Sequence, residues 1–318
     1  MYLNILFWLI LLAVSVLFGW LVTRAWRAKN PVMKWGGVVL GGLLTLVAAL
    51  VVIISARGLV RLYLPRGNPA PDIQVAGTPE QIARGEHLAA SFCVSCHSAT
   101  GDFPLTGGVN LLADIPLPLG VAMSANLTPA GRLAGYTDGE IMRVLREGVD
   151  KDGHPLLMMS IVRVRNMSDE DLQAVIAFLR SQPAAGNAIP LPLDQPNFLA
   201  AIMGGAGMVP PPEPPVQGPI VAPPRGETVE YGEYNISFQD CTVCHGADLR
   251  GGVEGQLPPV GPNLALVKGW TREQFITTLR TGVDPSGHEL SAAMPWRDIG
   301  KLDDVELGAI YKYLASLP

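Results

Sequence analysis

Apolar and polar positions divide the chain into a continuous apolar front and a longer mixed region. No charged residue occurs from Leu3 to Val22 or from Trp35 to Ala56. Each run is long enough to cross a hydrocarbon core of about 30 Å as a helix. The segment between them, TRAWRAKNPVMK, contains four basic residues and no acidic one. The pattern predicts a transmembrane hairpin over residues 1–66, with helices at about 3–22 and 35–58.

A cleaved signal peptide is the alternative for the first apolar run. Its beginning, MYLN, contains no basic residue, and no small-x-small cleavage site follows it. The run is also longer than the roughly 7–15 apolar residues of a signal peptide. We therefore expect an uncleaved membrane anchor.

Beyond the hairpin, the apolar positions recur with helical spacing in two similar regions. TPEQIARGEHLAASF offers a capping box from Thr78 to Gln81, and ETVEYGEYNISF takes the equivalent place later in the chain. Apolar residues then recur at i, i+3, i+4 and i+7 near the end of each region: Leu172, Val175, Ile176, Leu179, and Leu307, Ile310, Tyr311, Leu314. The pattern predicts two all-α domains, at 78–183 and 227–318. Gly85 and Gly232 on the first helices, facing Phe178 and Tyr313 on the last, would allow the terminal helices to cross closely.

Two linkers complete the predicted organisation. Residues 67–77 join the hairpin to the first domain, and residues 184–226 join the two domains. The second linker is rich in proline, which is typical of an extended, semi-rigid spacer. Its apolar stretch FLAAIMGGAGM favours a short helix lying against a domain or the membrane surface.

The charge balance excludes one class of partner. Residues 67–318 contain all 28 acidic side chains and 16 basic ones, a formal net charge of −12. Nucleic acid requires basic contacts to its phosphates and is not an expected partner. An acidic surface would suit a basic protein partner, but it is more commonly found on a domain that is merely kept soluble by its charge.

The four cysteines carry the chemistry. They lie in CVSCH, residues 93–97, and CTVCH, residues 241–245. Two cysteines two residues apart, followed by histidine, is the form of covalent c-type haem attachment: each thiol adds to a porphyrin vinyl group and the histidine binds iron. A disulfide framework would scatter its cysteines, a dithiol redox site needs no histidine, and a zinc site would place its pairs closer together. The sequence predicts two covalently bound haem c groups, held by Cys93, Cys96, His97 and by Cys241, Cys244, His245.

The attachment chemistry also predicts the orientation. Covalent haem attachment takes place outside the cytoplasm, so the haem domains face the periplasm or cell exterior. A hairpin then places the N-terminus on that side and the basic loop inside, in agreement with the positive-inside rule. We expect a multi-pass protein of the cell (inner) membrane.

An internal repeat identifies candidates for the second axial ligand. GYTDGEIMRVLREGVDKDGH, from Gly135, matches GWTREQFITTLRTGVDPSGH, from Gly269, at an offset of 134 residues. MSDEDLQAVIAFLRS, from Met167, matches LDDVELGAIYKYLAS, from Leu302, at an offset of 135. One residue was therefore gained or lost between the two matching blocks. The only methionine in that interval of the second copy is Met294, eight residues before Leu302. The same count back from Met167 gives Met159, and its neighbour Met158 is the alternative.

The remaining candidates have simpler explanations. Met123, Met142 and Met167 have no matched partner and are predicted to be packing or loop residues. His154 and His288 lie in charged turns, where a solvated histidine is ordinary, and His87 is interpreted as a packing residue. Met/His ligation raises the haem potential and completes the coordination, so the sequence predicts an electron carrier and not an enzyme.

Together these segments resemble the class I c-type cytochromes in a tandem dihaem form. CVSCHSATG, SANLTPAGRLAGYTDGEIMRVLREGVDKDGH and MSDEDLQAVIAFLRSQP are similar to the haem subunits of membrane-bound bacterial alcohol and sugar dehydrogenases, and CTVCHGADLRGG and GPNL belong to the same broad type. The resemblance implies the class I fold, Met/His ligation, and a Pro262 carbonyl that orients His245. Those subunits usually carry three haems and a cleaved signal, and proline usually follows the methionine ligand, unlike in LLMMSI.

Three functional hypotheses follow. The first is a membrane-anchored dihaem cytochrome that passes single electrons between donor and acceptor proteins, as a subunit of a respiratory or photosynthetic complex or of a membrane-bound dehydrogenase. The dihaem-plus-anchor arrangement also resembles subunits of terminal oxidases and quinol-oxidising complexes. The second is a dihaem peroxidase, which needs an open haem face, and the third is a haem sensor.

Overall fold

The computed structural model describes residues 1–209, 213–256 and 258–318, and these are mostly helical. Two long helices come first: α1 (Tyr2–Trp26) and α2 (Pro31–Tyr63). Asn30 caps α2 by accepting from the Val32 amide at 2.8 Å. Both helices extend past the charge-free stretches, because arginines such as Arg24 and Arg61 belong to their last turns. Each is long and apolar enough to cross a membrane.

Small residues bring α1 and α2 together as an antiparallel pair. A Cβ atom at Gly37 would lie 2.7 Å from the Ala25 Cβ, and one at Gly41 would lie 2.9 Å from a Val22 methyl. Glycines therefore allow this close approach, as small residues do in helix pairs within membranes. The Trp8 indole donates to the Val52 carbonyl at 3.0 Å on the same inner face.

The first soluble region is built from four helices: α3 (Pro79–Phe92), α4 (Val94–His97), α5 (Asp138–Glu147) and α6 (Asp169–Ser181). The predicted capping box from Thr78 to Gln81 is present at the start of α3. The predicted crossing of α3 and α6 is also confirmed: a Cβ at Gly85 would lie 1.9 Å from the Ala174 carbonyl oxygen and 2.9 Å from the Phe178 Cβ. Only glycine permits this separation.

The segment between the two soluble regions is more ordered than the predicted spacer. Strand β1 (Gly120–Ala122) of the first region pairs antiparallel with β2 (Asp194–Pro196), so an all-α description needs this small ladder added. The apolar stretch forms α7 (Phe198–Gly205). Pro210–Pro212, part of the predicted Pro-rich spacer, lie outside the described residues.

Helix α7 packs on the pair of long N-terminal helices. A Cβ at Gly58 of α2 would lie 1.7 Å from the Ala201 carbonyl oxygen, and one at Gly205 would lie 1.8 Å from the Ile54 carbonyl oxygen. Arg61 donates to the Gly204 carbonyl beside this contact. The other side of α7 adds Ala200 and Met203 to an apolar cluster with Leu112, Leu119 and Ala122 of the first region. The segment therefore joins the first soluble region to the hairpin.

The second soluble region repeats the plan of the first. Its helices are α8 (Val229–Phe238), α9 (Cys241–His245), α10 (Arg272–Thr281), α11 (Trp296–Ile299) and α12 (Asp304–Ser316). A Cβ at Gly232 would lie 2.0 Å from the Ala309 carbonyl oxygen and 2.8 Å from the Tyr313 Cβ. Gly232 therefore repeats the role of Gly85, as predicted.

Reciprocal polar contacts join the two regions. His87 Nε2 of α3 lies 2.5 Å from the Glu306 carboxylate of α12, and the Tyr234 hydroxyl of α8 donates to Asp171 of α6 at 2.5 Å. His87 and Tyr234 occupy equivalent repeat positions, as do Asp171 and Glu306. Arg84 bridges both carboxylates, at 2.8 Å from Asp171 and 2.5 Å from Glu306. The prediction that His87 is only a packing residue is wrong, because it bonds a fully buried carboxylate of the other region.

Two candidate haem centres

The first CxxCH motif lies at a helix end. Cys93 follows α3, and the His97 amide donates to the Cys93 carbonyl at 2.9 Å. This helical turn places Cys96 three and His97 four residues after Cys93, and residues at these spacings share one helix face. Two thiols and one imidazole therefore lie together. In the second motif, α9 contains Cys241, Cys244 and His245 within one short helix.

Each motif histidine is oriented by a backbone carbonyl. His97 Nδ1 lies 2.9 Å from the Ala125 oxygen, and His245 Nδ1 lies 2.8 Å from the Pro262 oxygen, where the sequence resemblance places it. A hydrogen bond from Nδ1 fixes the tautomer and leaves Nε2 without a proton, the form in which an imidazole nitrogen can bind a metal. Sequence reasoning missed Ala125. The signal was the shared Asn-Leu pair, since SANL in the first copy matches GPNL in the second.

A large apolar cavity adjoins the first motif. Its walls include Leu127, Leu133, Ile141, Leu145, Val164 and Leu179. Cys93, Cys96 and His97 open into it, together with both Met158 and Met159. An apolar cleft with thiols and an imidazole at one edge and a thioether within it fits a porphyrin held covalently through its vinyl groups. The residues present therefore fit haem c.

Burial favours the neutral form of the first motif histidine. Removal from water lowers the pKa of His97, with the Ala125 hydrogen bond acting in the opposite direction. The neutral imidazole is thereby favoured, and this is the form that binds iron.

The two adjacent methionines of the first copy face different surroundings. Met159 packs against the main core of the first region. Met158 instead packs against the cluster that includes Leu112 and Met203, next to α7. Met123, predicted to be a packing or loop residue, also lines the cavity. Met142 and Met167 are buried in the core, as predicted.

The second centre has the corresponding parts. Met294 and Cys241 both pack against the core of the second region. His154 and His288 lie in matching turns, each close to an aspartate four residues earlier, with side-chain exposures of 55% and 72%. These exposed imidazoles agree with the prediction of solvated histidines.

The two centres are neighbours. The first cavity is lined in part by residues of the second region: Gln239, Asp240, Pro295, Asp298 and Ile299. Gln239 and Asp240 directly precede the second CxxCH motif, and the other three residues follow Met294 in the sequence. Burial raises the pKa of the Asp240 carboxyl to about 6, while the Arg163 amide and charge act to lower it. This shared wall was not predictable from the repeat.

Comparison with known proteins agrees with this geometry. Residues 82–183 match the family described as cytochrome c, and residues 232–314 match the family described as cytochrome c oxidase, cbb3-type, subunit III. The chain is 26% identical over 269 residues to the cytochrome c subunit of the quinone alcohol dehydrogenase of Gluconobacter oxydans, covering 74% of this chain and 55% of that protein.

Two further relatives match shorter stretches. The cytochrome c subunit of gluconate 2-dehydrogenase from Pantoea cypripedii is 35% identical over 101 residues, covering 30% of this chain and 22% of that protein. The cytochrome subunit of fructose dehydrogenase from Gluconobacter japonicus is 26% identical over 147 residues, covering 45% and 29%. The chain thus spans about half, or less, of the length of these relatives.

Proposed function

We propose that this chain is a class I c-type cytochrome with two covalently bound haem c groups, and that it carries single electrons between a membrane-bound donor and an acceptor outside the cytoplasm. The observation that carries the proposal is the shared wall between the two centres, in which Asp240 and Pro295 of the second domain line the first haem cavity. Two adjacent centres in one chain form a continuous route for electrons.

The proposed ligand sets follow from the motifs and the repeat. Each haem, when bound, supplies a reversible one-electron Fe(III)/Fe(II) couple. The protein attaches it through two thiols, orients the histidine through a carbonyl, and excludes water with apolar walls. The Met sulfur favours a higher potential than a second nitrogen would. The proposed residues are Cys93, Cys96, His97 and Met159 for the first haem, and Cys241, Cys244, His245 and Met294 for the second.

Met159 is preferred over Met158 because of what each contacts. Met159 packs against the core that surrounds the first haem cavity. Met158 contributes to the cluster that joins the domain to α7. We propose that Met158 has this structural role, although it also borders the cavity.

The contacts of the hairpin support an order for the two haems. Arg66, just after α2, donates its amide to the Gly153 carbonyl of the first domain at 2.8 Å, and α7 docks on α2. The second domain packs on the first through α8 and α12. We propose that the first haem exchanges electrons with the membrane-side partner and the second haem with the outer partner.

The proposed membrane topology is a hairpin with both ends outside. The loop between α1 and α2 contains Arg27 and Lys29 and would face the cytoplasm. A Lys29→Cys variant is expected to react with a membrane-impermeant maleimide only after inverted vesicles are prepared. Reaction in intact cells would contradict this orientation.

The relatives suggest the kind of complex. They are cytochrome subunits of alcohol, gluconate and fructose dehydrogenases. We propose that this chain likewise serves a membrane-bound oxidoreductase as its electron-transfer subunit and is not itself the catalytic part.

Haem absorption spectra recorded during a redox titration of the full chain, purified in mild detergent, test the proposal because they report both spin state and potential. We expect two low-spin haems, and conversion of one haem to a high-spin form in each of the variants Met159→Ala and Met294→Ala. Met158→Ala is the matched control and is expected to keep both haems low-spin. A high-spin haem in the unaltered protein, or in Met158→Ala instead of Met159→Ala, would contradict the assignment and favour an open site such as a peroxidase needs.

A further inference from the structure

The segment that follows Met159 is bound by the second domain. The Arg163 amide donates to Asp240 Oδ1 at 2.8 Å, and the Asn166 side chain donates to the Ser237 carbonyl at 2.7 Å. The Ser168 amide donates to the Tyr234 hydroxyl at 2.9 Å. All three acceptors lie on α8 or between α8 and α9. We call residues 159–168 the methionine segment.

The equivalent segment of the second domain begins with a proline and a helical turn of its own. Pro295 follows Met294, and its ring fixes the backbone φ angle. The Asp298 and Ile299 amides both donate to the Pro295 carbonyl at 3.1 Å, which starts α11. In the first domain, Ser160 stands where the second has Pro295. The first methionine segment therefore lacks the proline, and three of its hydrogen bonds come from the second domain.

Asp240 adopts a conformation that needs an explanation. Its φ angle is +56°, in the left-handed region that side chains other than glycine, asparagine and aspartate rarely occupy. Strained backbone positions persist where the surrounding structure requires them. Here the conformation lies directly before Cys241, and the Asp240 carboxylate lines the first haem cavity and accepts from Arg163.

We propose that Asp240 of the second domain is a positioning residue for the methionine ligand of the first haem. Its carboxylate holds the Arg163 backbone, and this hydrogen bond fixes the methionine segment against the first cavity. The inference rests on the proposed Met159 ligation. It implies that the first haem reaches its full potential only when the second domain is docked.

Two variants of Asp240 separate the hydrogen bond from the backbone conformation. Asp240→Gly keeps the left-handed φ and removes the acceptor, whereas Asp240→Asn keeps an Oδ1 acceptor and also tolerates that φ. Both are made in the full chain with Met294→His, so that the red absorption band of ferric Met-ligated haem reports on the first haem alone.

We expect Asp240→Gly to weaken this band, to lower the potential of the first haem, and to speed hydrogen exchange of the Arg163 amide by about fivefold to tenfold, as for loss of one hydrogen bond. Asp240→Asn is expected to restore all three readouts. If Arg163 exchange accelerates while band and potential stay unchanged, Asp240 is only structural and the proposal is overturned. Equal defects in both variants would also overturn it.

A second pair of variants changes the hydrogen-bond donor, Arg163 of the first domain. Arg163 is the first residue of a 3-10 helix and follows Val162 in extended conformation, which suits proline. Arg163→Pro removes the amide donor and is expected to reproduce Asp240→Gly. Arg163→Ala removes the charge, keeps the donor, and is expected to retain the band. Should both behave alike, the hydrogen bond does not position the ligand.

The same experiment distinguishes failure of the proposed Met159 ligation from failure of the proposed role of Asp240. If the Met294→His parent already lacks the band before any change at Asp240, Met ligation of the first haem is refuted, and the role of Asp240 with it. If the parent has the band and Asp240→Gly leaves it and the potential unchanged, only the role of Asp240 is refuted.

Discussion

Replacing Glu306 by glutamine tests the buried contact between the two domains. The Glu306 side chain is fully buried, and its two oxygens accept from Arg84 and His87 at 2.5 Å each and from the Asp303 amide at 3.1 Å. In Glu306→Gln one oxygen becomes an NH₂ group, so at least one of these donors faces another donor. Removal of one partner from a buried ion pair typically costs about 3–5 kcal/mol.

The pKa of Glu306 gives a second measure of the same contact. Hydrogen bonds and charges from His87 and Arg84 outweigh burial and lower this pKa from 4.5 to about 2. At 1.36 kcal/mol per pH unit, the difference corresponds to about 3 kcal/mol of stability. Because the folded pKa is the lower one, this contribution is present above pH 4.5 and is lost as the pH falls toward 2. About 1 kcal/mol of it remains at pH 3.

Thermal and denaturant unfolding of the detergent-solubilised full chain at pH 5 and pH 3 measures the effect. We expect Glu306→Gln to lower the free energy of unfolding by about 3 kcal/mol at pH 5 and by about 1 kcal/mol at pH 3. Asp304→Asn is the matched control on the same helix turn. Its side chain is 58% exposed and pairs with Arg280, so its removal is expected to cost less than about 1 kcal/mol. An effect that is equally large at both pH values would refute the reasoning.

Two further predictions concern close helix contacts. Gly85→Ala and Gly232→Ala should each destabilise their domain by about 1–3 kcal/mol and lower its haem content, as measured by the pyridine haemochrome assay. The control, Gly135→Ala at an exposed position, should be near neutral. Equal haem content in all three variants would contradict the packing argument. Gly58→Leu should separate α7 from α2 and increase proteolysis at residues 206–209 and 213–226 in detergent. Gly42→Leu, where no atom lies within 4 Å of an added Cβ, should not increase it. Resistance to protease in both variants would show that α7 does not depend on Gly58.

Many local features were predictable because neighbouring residues determine them. The capping box from Thr78 to Gln81 needs only its own side chains and backbone, and the structure contains it. The long apolar helices follow from the absence of charge. The glycine crossings at Gly85 and Gly232 were predictable because the internal repeat showed the same small and aromatic positions twice.

Features that join distant segments were not predictable in the same way. The short helix in the apolar part of the Pro-rich linker was predicted and is present, but the sequence pattern did not specify its partners, which are α2 and the first domain. His87 was interpreted as a packing residue because the sequence shows its position but not the carboxylate 219 residues away that it bonds. Ala125 has no side-chain chemistry, and only its carbonyl contacts His97.

The sequence by itself therefore determined the chemistry of this protein, because haem attachment depends on residues within one helical turn, and the repeat of that motif predicted two such groups. The tertiary structure decided how the two centres relate. The Asp240 carboxylate reaches the first haem cavity only because α8 and α12 pack on α3 and α6, and this packing depends on shapes and charges brought together from residues far apart in the chain.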